Sequence, residues 1–160
     1  MKSFYEIGLS QPGKTDKVSH HRYDRFYPLF LESLRDQEFN MLEIGVGSGG
    51  SLRLWEEYFP KASIYGGDIQ FDTQFSEDRI KTFLFDSTKK FECDVTLQDM
   101  TFDIIIDDGW HWYEAQLNTF DNLFSRVRPA GYYIIEDIEG GEGSPIFNEL
   151  EKKLNGLEYK

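Results

Sequence analysis

A chain of 160 residues with 39% hydrophobic and 16% aromatic residues is too apolar to be disordered, and its size suits one domain burying about two thirds of its unfolded surface. A net charge of −12, with no basic run beyond Lys89-Lys90 and Lys152-Lys153, argues against a nucleic-acid or anionic-membrane surface. The lone Cys93 rules out an internal disulfide, and with no signal-type apolar region and no apolar stretch near the ~18 residues of a membrane span, the expectation is a soluble cytoplasmic protein.

Residues 1–37 read as an N-terminal segment and a cover helix, and residues 38–160 as the core of a single domain. The first twenty residues are polar and turn-rich. Phe26, Tyr27, Phe30, Leu31 and Leu34 then recur at helical spacing, which predicts a helical pattern over 21–34 whose regular helix starts near Pro28 and uses it in the first turn. A strand is predicted over 41–46. Gly45, Gly47, Gly49 and Gly50 follow at its end, and Leu52, Leu54, Trp55, Tyr58 and Phe59 form the apolar stripe of a helix stopped by Pro60. Residues 63–68 read as a second strand ending in Asp68, and 80–85 as a third ending at Asp86-Ser87. The stretch 88–100 is mixed and reads as a loop with a short helix.

The run Phe102-Asp-Ile-Ile-Ile-Asp107-Asp108 is the clearest strand, apolar enough to be buried on both faces. A helix is predicted over 113–127, broken by Arg128-Pro129-Ala130-Gly131. A fifth strand follows over 132–138, then a glycine loop over 140–144 and a last helix over 145–154. This alternation predicts an α/β fold with a doubly wound parallel sheet. Ligands of such sheets sit beyond the carboxyl ends of the strands. Here those ends carry the glycines, Asp68, Asp86, Asp107-Asp108 and Glu136-Asp137.

Gly45, Gly47 and Gly50 fit G-x-G-x-x-G, a cradle for a nucleotide-type cofactor, and Asp68 stands where an acid accepts from ribose hydroxyls. Both features suit NAD and S-adenosylmethionine (SAM) alike. Glu43 separates them. A carboxylate beside the loop repels a pyrophosphate and attracts the sulfonium and ammonium groups of SAM. The bland alternative is that Glu43 hydrogen-bonds the loop's own amides.

The segment Leu42-Glu43-Ile44-Gly45-Val46-Gly47-Ser48-Gly49 resembles the first motif of class I SAM-dependent methyltransferases, which are Rossmann-like. More narrowly, Gly13-Lys14-Thr15-Asp16-Lys17, Ile106-Asp107-Asp108-Gly109-Trp110-His111 and Tyr133-Ile134-Ile135-Glu136-Asp137 are similar to the macrocin O-methyltransferase type of sugar O-methyltransferase. The resemblance covers about residues 13–150. It implies that Asp68 holds the ribose and that Asp86 and Ser87 hold the adenine. Ser48, Ser51, Ile69 and Asp107 complete the expected cofactor set with Glu43, Gly45, Gly47 and Gly49. Helix capping or loop bracing is the other reading of Asp107.

Methyl transfer to an alcohol needs the hydroxyl proton removed. His111 can act as the base, and a divalent cation on carboxylate oxygens can lower the hydroxyl's pKa. Asp108, Glu136 and Asp137 are the candidate Mg²⁺ ligands, and the resemblance implies the same for Asp108 and Asp137, with His111 as base. Trp110 and Trp112 read either as stacking surfaces or as core. His20 and His21 read either as a lid or as solvent-facing caps.

Relatives usually close with a strand 6–7 hairpin, which this sequence is expected to lack; the exposed fifth strand then suggests either a homodimer or a chain cut short relative to its relatives. The expected activity is SAM-dependent, Mg²⁺-assisted O-methylation of a sugar or glycosylated small molecule. Two rivals stay open: an NAD-dependent oxidoreductase or epimerase, though no Tyr-x-x-x-Lys pair is recognisable, and a non-catalytic SAM-binding subunit.

Overall fold

The structure is a computed structural model that describes residues 1–11 and 15–156. Pro12, Gly13 and Lys14 of the turn-rich stretch lie outside the described residues. Six strands form one sheet in the order β3-β4-β2-β1-β5-β6: β1 (Asn40–Ile44), β2 (Ser63–Asp68), β3 (Ser76–Glu77), β4 (Ile80–Leu84), β5 (Phe102–Asp107) and β6 (Val127–Ile135). Every pairing is parallel except β3 with β4. β3 was not expected. Two exposed residues carry no alternating pattern, and the strand is fastened by Thr82, whose Oγ1 accepts from the Phe75 N–H at 2.7 Å.

The isoleucines of β5 serve both faces of the sheet. Ile104 and Ile106 join a core with Met41, Leu52, Trp55 and Tyr58. Ile105 joins a second core with Leu42, Phe85, Cys93, Leu97 and Leu123. Helices α4 (Gly50–Tyr58), α5 (Lys90–Leu97), α6 (Tyr113–Leu123) and α7 (Ile146–Asn155) complete the alternation. None of the described helices is long and apolar enough to cross a membrane.

The N-terminal segment differs most from its reading. Residues 1–20 contain α1 (Phe4–Ser10) and α2 (Asp16–Ser19). α1 opens with a capping box in which Ser3 and Glu6 satisfy each other's backbone amides, a Ser-x-x-Glu signal present in the sequence. The helix expected over 21–34 is broken into a 3₁₀ turn at 23–25, α3 (Tyr27–Leu31) and a second 3₁₀ turn at 32–34, with Pro28 in the first turn of α3. Phe4, Ile7, Val18, Tyr27 and Leu31 share the core of Trp55 and Ile104, so this segment is built into one face of the sheet.

The expected break at 128–131 is a bulge instead. β6 begins at Val127, paired with Phe102, and its register jumps before Tyr132 pairs with Ile104. Ala130 takes up the excess with φ +65°, and Pro129 is tolerated because β6 has a free edge among the described strands. β6 then stops at Ile135, leaving Glu136 and Asp137 beyond the sheet.

At the carboxyl end of β1, Gly45 has φ +95°, and a Cβ there would stand 2.1 Å from the Asp108 carbonyl oxygen. That close passage brings the glycine loop against the end of β5. Gly45→Ala is therefore expected to lower the unfolding free energy by at least about 2 kcal/mol. Urea denaturation checks this, and an unchanged midpoint would show that the backbone passage can relax.

Candidate active site

A cavity of about 860 Å³ opens above the carboxyl ends of β1, β2, β4 and β5. Its walls are the glycine loop, the segment after β2, the Asp86–Thr88 turn and the loop after β5, with Thr15, Asp16 and Ser19 reaching in from the N-terminal segment. Of the expected cofactor residues, Gly45, Gly47, Ser48, Ser51, Asp68, Ile69, Asp86 and Ser87 line it, as do Asp108 and His111. Gly49 is not on the wall. Its α-carbon faces the Phe75 ring, and it starts α4 from a left-handed conformation.

Asp68 braces the loop. Its Oδ2 accepts from the Val46 and Gly47 amides at 2.8 and 3.3 Å, and its Oδ1 from the Gln70 amide at 2.9 Å. Asp86 Oδ1 accepts from the Thr88 amide and hydroxyl at 2.9 and 2.6 Å. The Ser87 hydroxyl meets Thr119 Oγ1 at 2.9 Å, and Asn122 donates to the Ser87 carbonyl at 2.9 Å. The side chains of α6 thus fix the third wall.

Glu43 lies behind the loop, fully buried and off the cavity wall. Trp55 Nε1 donates to its Oε2 at 2.5 Å, and the Ser51 hydroxyl also bonds it. The reason for its depth is Lys17, which was not singled out as a site residue. The buried Lys17 ammonium sits 3.3 Å from Glu43 Oε1, 2.7 Å from Asp108 Oδ2 and 2.6 Å from Glu136 Oε2. Burial pulls the Lys17 pKa down, but the three carboxylates outweigh it and hold the ammonium charged. Burial likewise raises the Glu43 and Glu136 carboxyls, against the pull of Lys17.

Glu136 is one of the three acids expected to hold the metal. Its carboxylate is occupied by Lys17 and by the Tyr27 hydroxyl, which donates to Oε1. Asp108, His111 and Asp137 instead form the one group among the described residues whose ligand atoms lie within 4.8 Å of one another. His111 Nε2 is 3.2 Å from Asp108 Oδ1 and its Nδ1 is 3.9 Å from Asp137 Oδ2. The Asp108 hydrogen bond raises the His111 pKa, although partial burial works against it. The Asp108 carboxyl is pushed up by burial but brought below its ordinary value by His111 and Lys17. Asp137 is held by the Tyr23 hydroxyl at 2.6 Å and faces His21 Nδ1 at 3.2 Å, so His21 meets the site while His20 packs edge-on against His21. Lys17 ends one of the family-like segments, but its role, like those of Tyr23 and Tyr27, depends on partners far along the chain, 91 and 119 residues away for Lys17.

Asp107 points into the protein. Its Oδ1 accepts from the Gly109 amide at 3.3 Å, its buried Oδ2 has no hydrogen-bond partner, and burial pushes its pKa up to about 7. Trp110 lines the cavity, and neither Trp110 nor Trp112 belongs to a core.

No family model matches the chain. The chain is 37% identical over 148 residues to the demethylmacrocin O-methyltransferase of Streptomyces fradiae, covering 82% of this chain and 37% of that protein. It is 38% identical over 126 residues to the mycinamicin VI 2''-O-methyltransferase of Micromonospora griseorubida, covering 74% and 32%. Among solved structures, the MycE methyltransferase from the mycinamycin biosynthetic pathway, in complex with Mg and SAH, aligns with a TM-score of 0.82 at 30% identity over 96% of this chain and 48% of that one. Its complex with Mg, SAH and mycinamycin VI aligns at 0.77 and 34% identity, covering 85% of this chain and 39% of that one. The chain spans about a third of the length of these curated relatives. Fold and site define a class I methyltransferase domain. Within that class the chain belongs to the macrocin O-methyltransferase-like family.

Removing the Lys17 charge leaves buried carboxylates uncompensated, which typically costs about 3–5 kcal/mol. Lys17→Met is expected to destabilise the chain on that scale by urea denaturation, and adding Glu136→Gln to recover part of the loss. A Lys17→Met chain as stable as wild type would contradict the charge assignment. For Asp107 the native pKa is raised, so its stabilising contribution is complete below the unfolded value and is lost as pH rises through about 7. Asp107→Asn is therefore expected to gain on wild type between about pH 4 and about pH 7 and to hold that gain above it, measured by melting temperature in chelator-treated protein. A gap independent of pH would sink this.

Proposed function

We propose that this chain is the SAM-binding part of an O-methyltransferase acting on a hydroxyl of a sugar or glycosylated small molecule, with Mg²⁺ assisting and a cytoplasmic location. The observation that carries it is the Asp108–His111 pair, which sits on the wall of the same cavity as the glycine loop and Asp68. SAH is the demethylated form of SAM, and it is bound in the related MycE structures.

The cavity fits SAM. Asp68 keeps lone pairs for the ribose hydroxyls while bracing the loop that lies along the amino-acid portion. Asp86 and Ser87 stand on the adenine side. Glu43 works through the loop from behind, since Lys17 takes up part of its charge. Discrimination against a pyrophosphate therefore rests on the excess of Glu43, Asp108 and Glu136 over one ammonium.

The donor set also fits Mg²⁺, which prefers oxygen and keeps waters: Asp108 and Asp137 supply it, leaving His111 for the proton. When bound, SAM supplies an electrophilic methyl group and the cation acidifies the acceptor hydroxyl. His111 accepts that proton, and Asp108, anchored by Lys17, orients the ring and stabilises the imidazolium. We also expect the open edge of β6 to support a homodimer, to be checked by light scattering.

Calorimetry is expected to show SAH binding and no NAD binding. Asp68→Asn should weaken SAH by about tenfold or more, while His111→Ala keeps SAH affinity and abolishes methyl transfer in the enzyme. EDTA should remove turnover, and Mg²⁺ restore it. Equal binding of NAD would overturn the cofactor assignment. Full turnover of His111→Ala would remove it from the chemistry, and indifference to EDTA would remove the metal.

A further inference from the structure

Trp110 and Trp112 are 73% and 51% exposed, two large apolar surfaces that the fold leaves in water on either side of His111 in the sequence. Side chains of this size are rarely left open beside a cavity unless something covers them. A second, shallow and open depression of about 450 Å³ has both tryptophans in its lining. Gly109, His111, Asp137 and Glu139 complete its lining, and it shares Gly109, Trp110 and His111 with the larger one. A molecule held there therefore reaches the imidazole and opens onto the cofactor cavity.

The chemistry of this shelf is specific. An indole face carries negative π charge and attracts the weakly positive C–H patches of a pyranose ring. The Glu139 carboxylate can accept from hydroxyls at the ring's edge, and its charge repels an anionic sugar. Adenine is the weaker occupant, because its expected place at Asp86 and Ser87 is on the third wall of the larger cavity, which Trp112 does not line.

We propose that Trp110 and Trp112 form the sugar-binding platform of the acceptor site, selecting a neutral pyranoside and presenting one of its hydroxyls to His111. This rests on the O-methyltransferase reading above. Trp110 is shared between the sugar and the cofactor cavity, whereas Trp112 contacts the sugar alone.

The chain's three tryptophans make the test direct. In ¹⁵N-labelled protein each gives one indole N–H resonance, assignable by Trp→Phe variants. Trp55, buried and bonded to Glu43, is the internal reference. Titration with methyl α-L-rhamnopyranoside, with and without SAH, is expected to move the Trp110 and Trp112 resonances saturably and leave Trp55 in place. Methyl β-D-glucuronopyranoside should move neither. Trp112→Ala should weaken the rhamnoside by about tenfold while SAH affinity, read by calorimetry on the same sample, is unchanged.

The proposal is overturned if the rhamnoside moves neither resonance, if dilution of the protein alone moves both, or if SAH alone reproduces both shifts. A rhamnoside shift in protein that does not bind SAH would uphold the sugar platform and overturn the transferase reading, so the two fail separately.

Discussion

One buried ammonium organises the edge of this sheet where the strands' carboxyl ends meet the cavity. Lys17 of α2 meets acids from the ends of three adjacent strands, Glu43 of β1, Asp108 after β5 and Glu136 after β6. Burying these charges is costly, and an apolar core of the same volume would often be as stable. What the arrangement secures is orientation. With Asp108 Oδ2 tied to Lys17, its other oxygen is left to face His111. With Glu136 occupied by Lys17 and Tyr27, the acid after β6 that has no ammonium partner is Asp137. The same ammonium ties the N-terminal segment to the sheet, so residues 15–27 build the site as well as cover it.

Acids outnumber cations along this edge. Three carboxylates share one ammonium, and Asp137 adds a fourth acid nearby with only hydroxyl and imidazole partners. Burial raises the Glu43 and Glu136 carboxyls and Lys17 pulls them back, so Lys17 offsets their desolvation only in part. A sulfonium and a divalent metal ion both relieve such a surplus, whereas a dinucleotide phosphate adds to it.

Much of this was legible in the sequence because it is local. The isoleucine run of β5, the glycines after β1 and the acids ending each strand are encoded within a few residues, and they place Asp68, Asp86, Asp108 and His111 on one edge. The Ser3–Glu6 capping box was equally local and could have announced α1. What escaped has a common cause. Lys17 gains its meaning only from partners brought close by the fold, and without it Glu43 reads as a group reaching into the cavity and Glu136 as a metal ligand. Pro129 and Gly131 read as a break, but an edge strand can absorb them as a bulge. The exposure of Trp110 and Trp112 was likewise undecided, because apolar residues beside a strand end pack or stack depending on what the next loop covers.

The most direct test is a crystal structure of this chain with SAH and Mg²⁺. The account predicts the adenosine between Asp68 and Asp86-Ser87, the amino-acid portion along Gly45 to Ser51, Mg²⁺ on Asp108 and Asp137, and Lys17 still joining Asp108 to Glu136. SAH bound away from the glycine loop, or a metal held by Glu136 with Lys17 displaced, would contradict it.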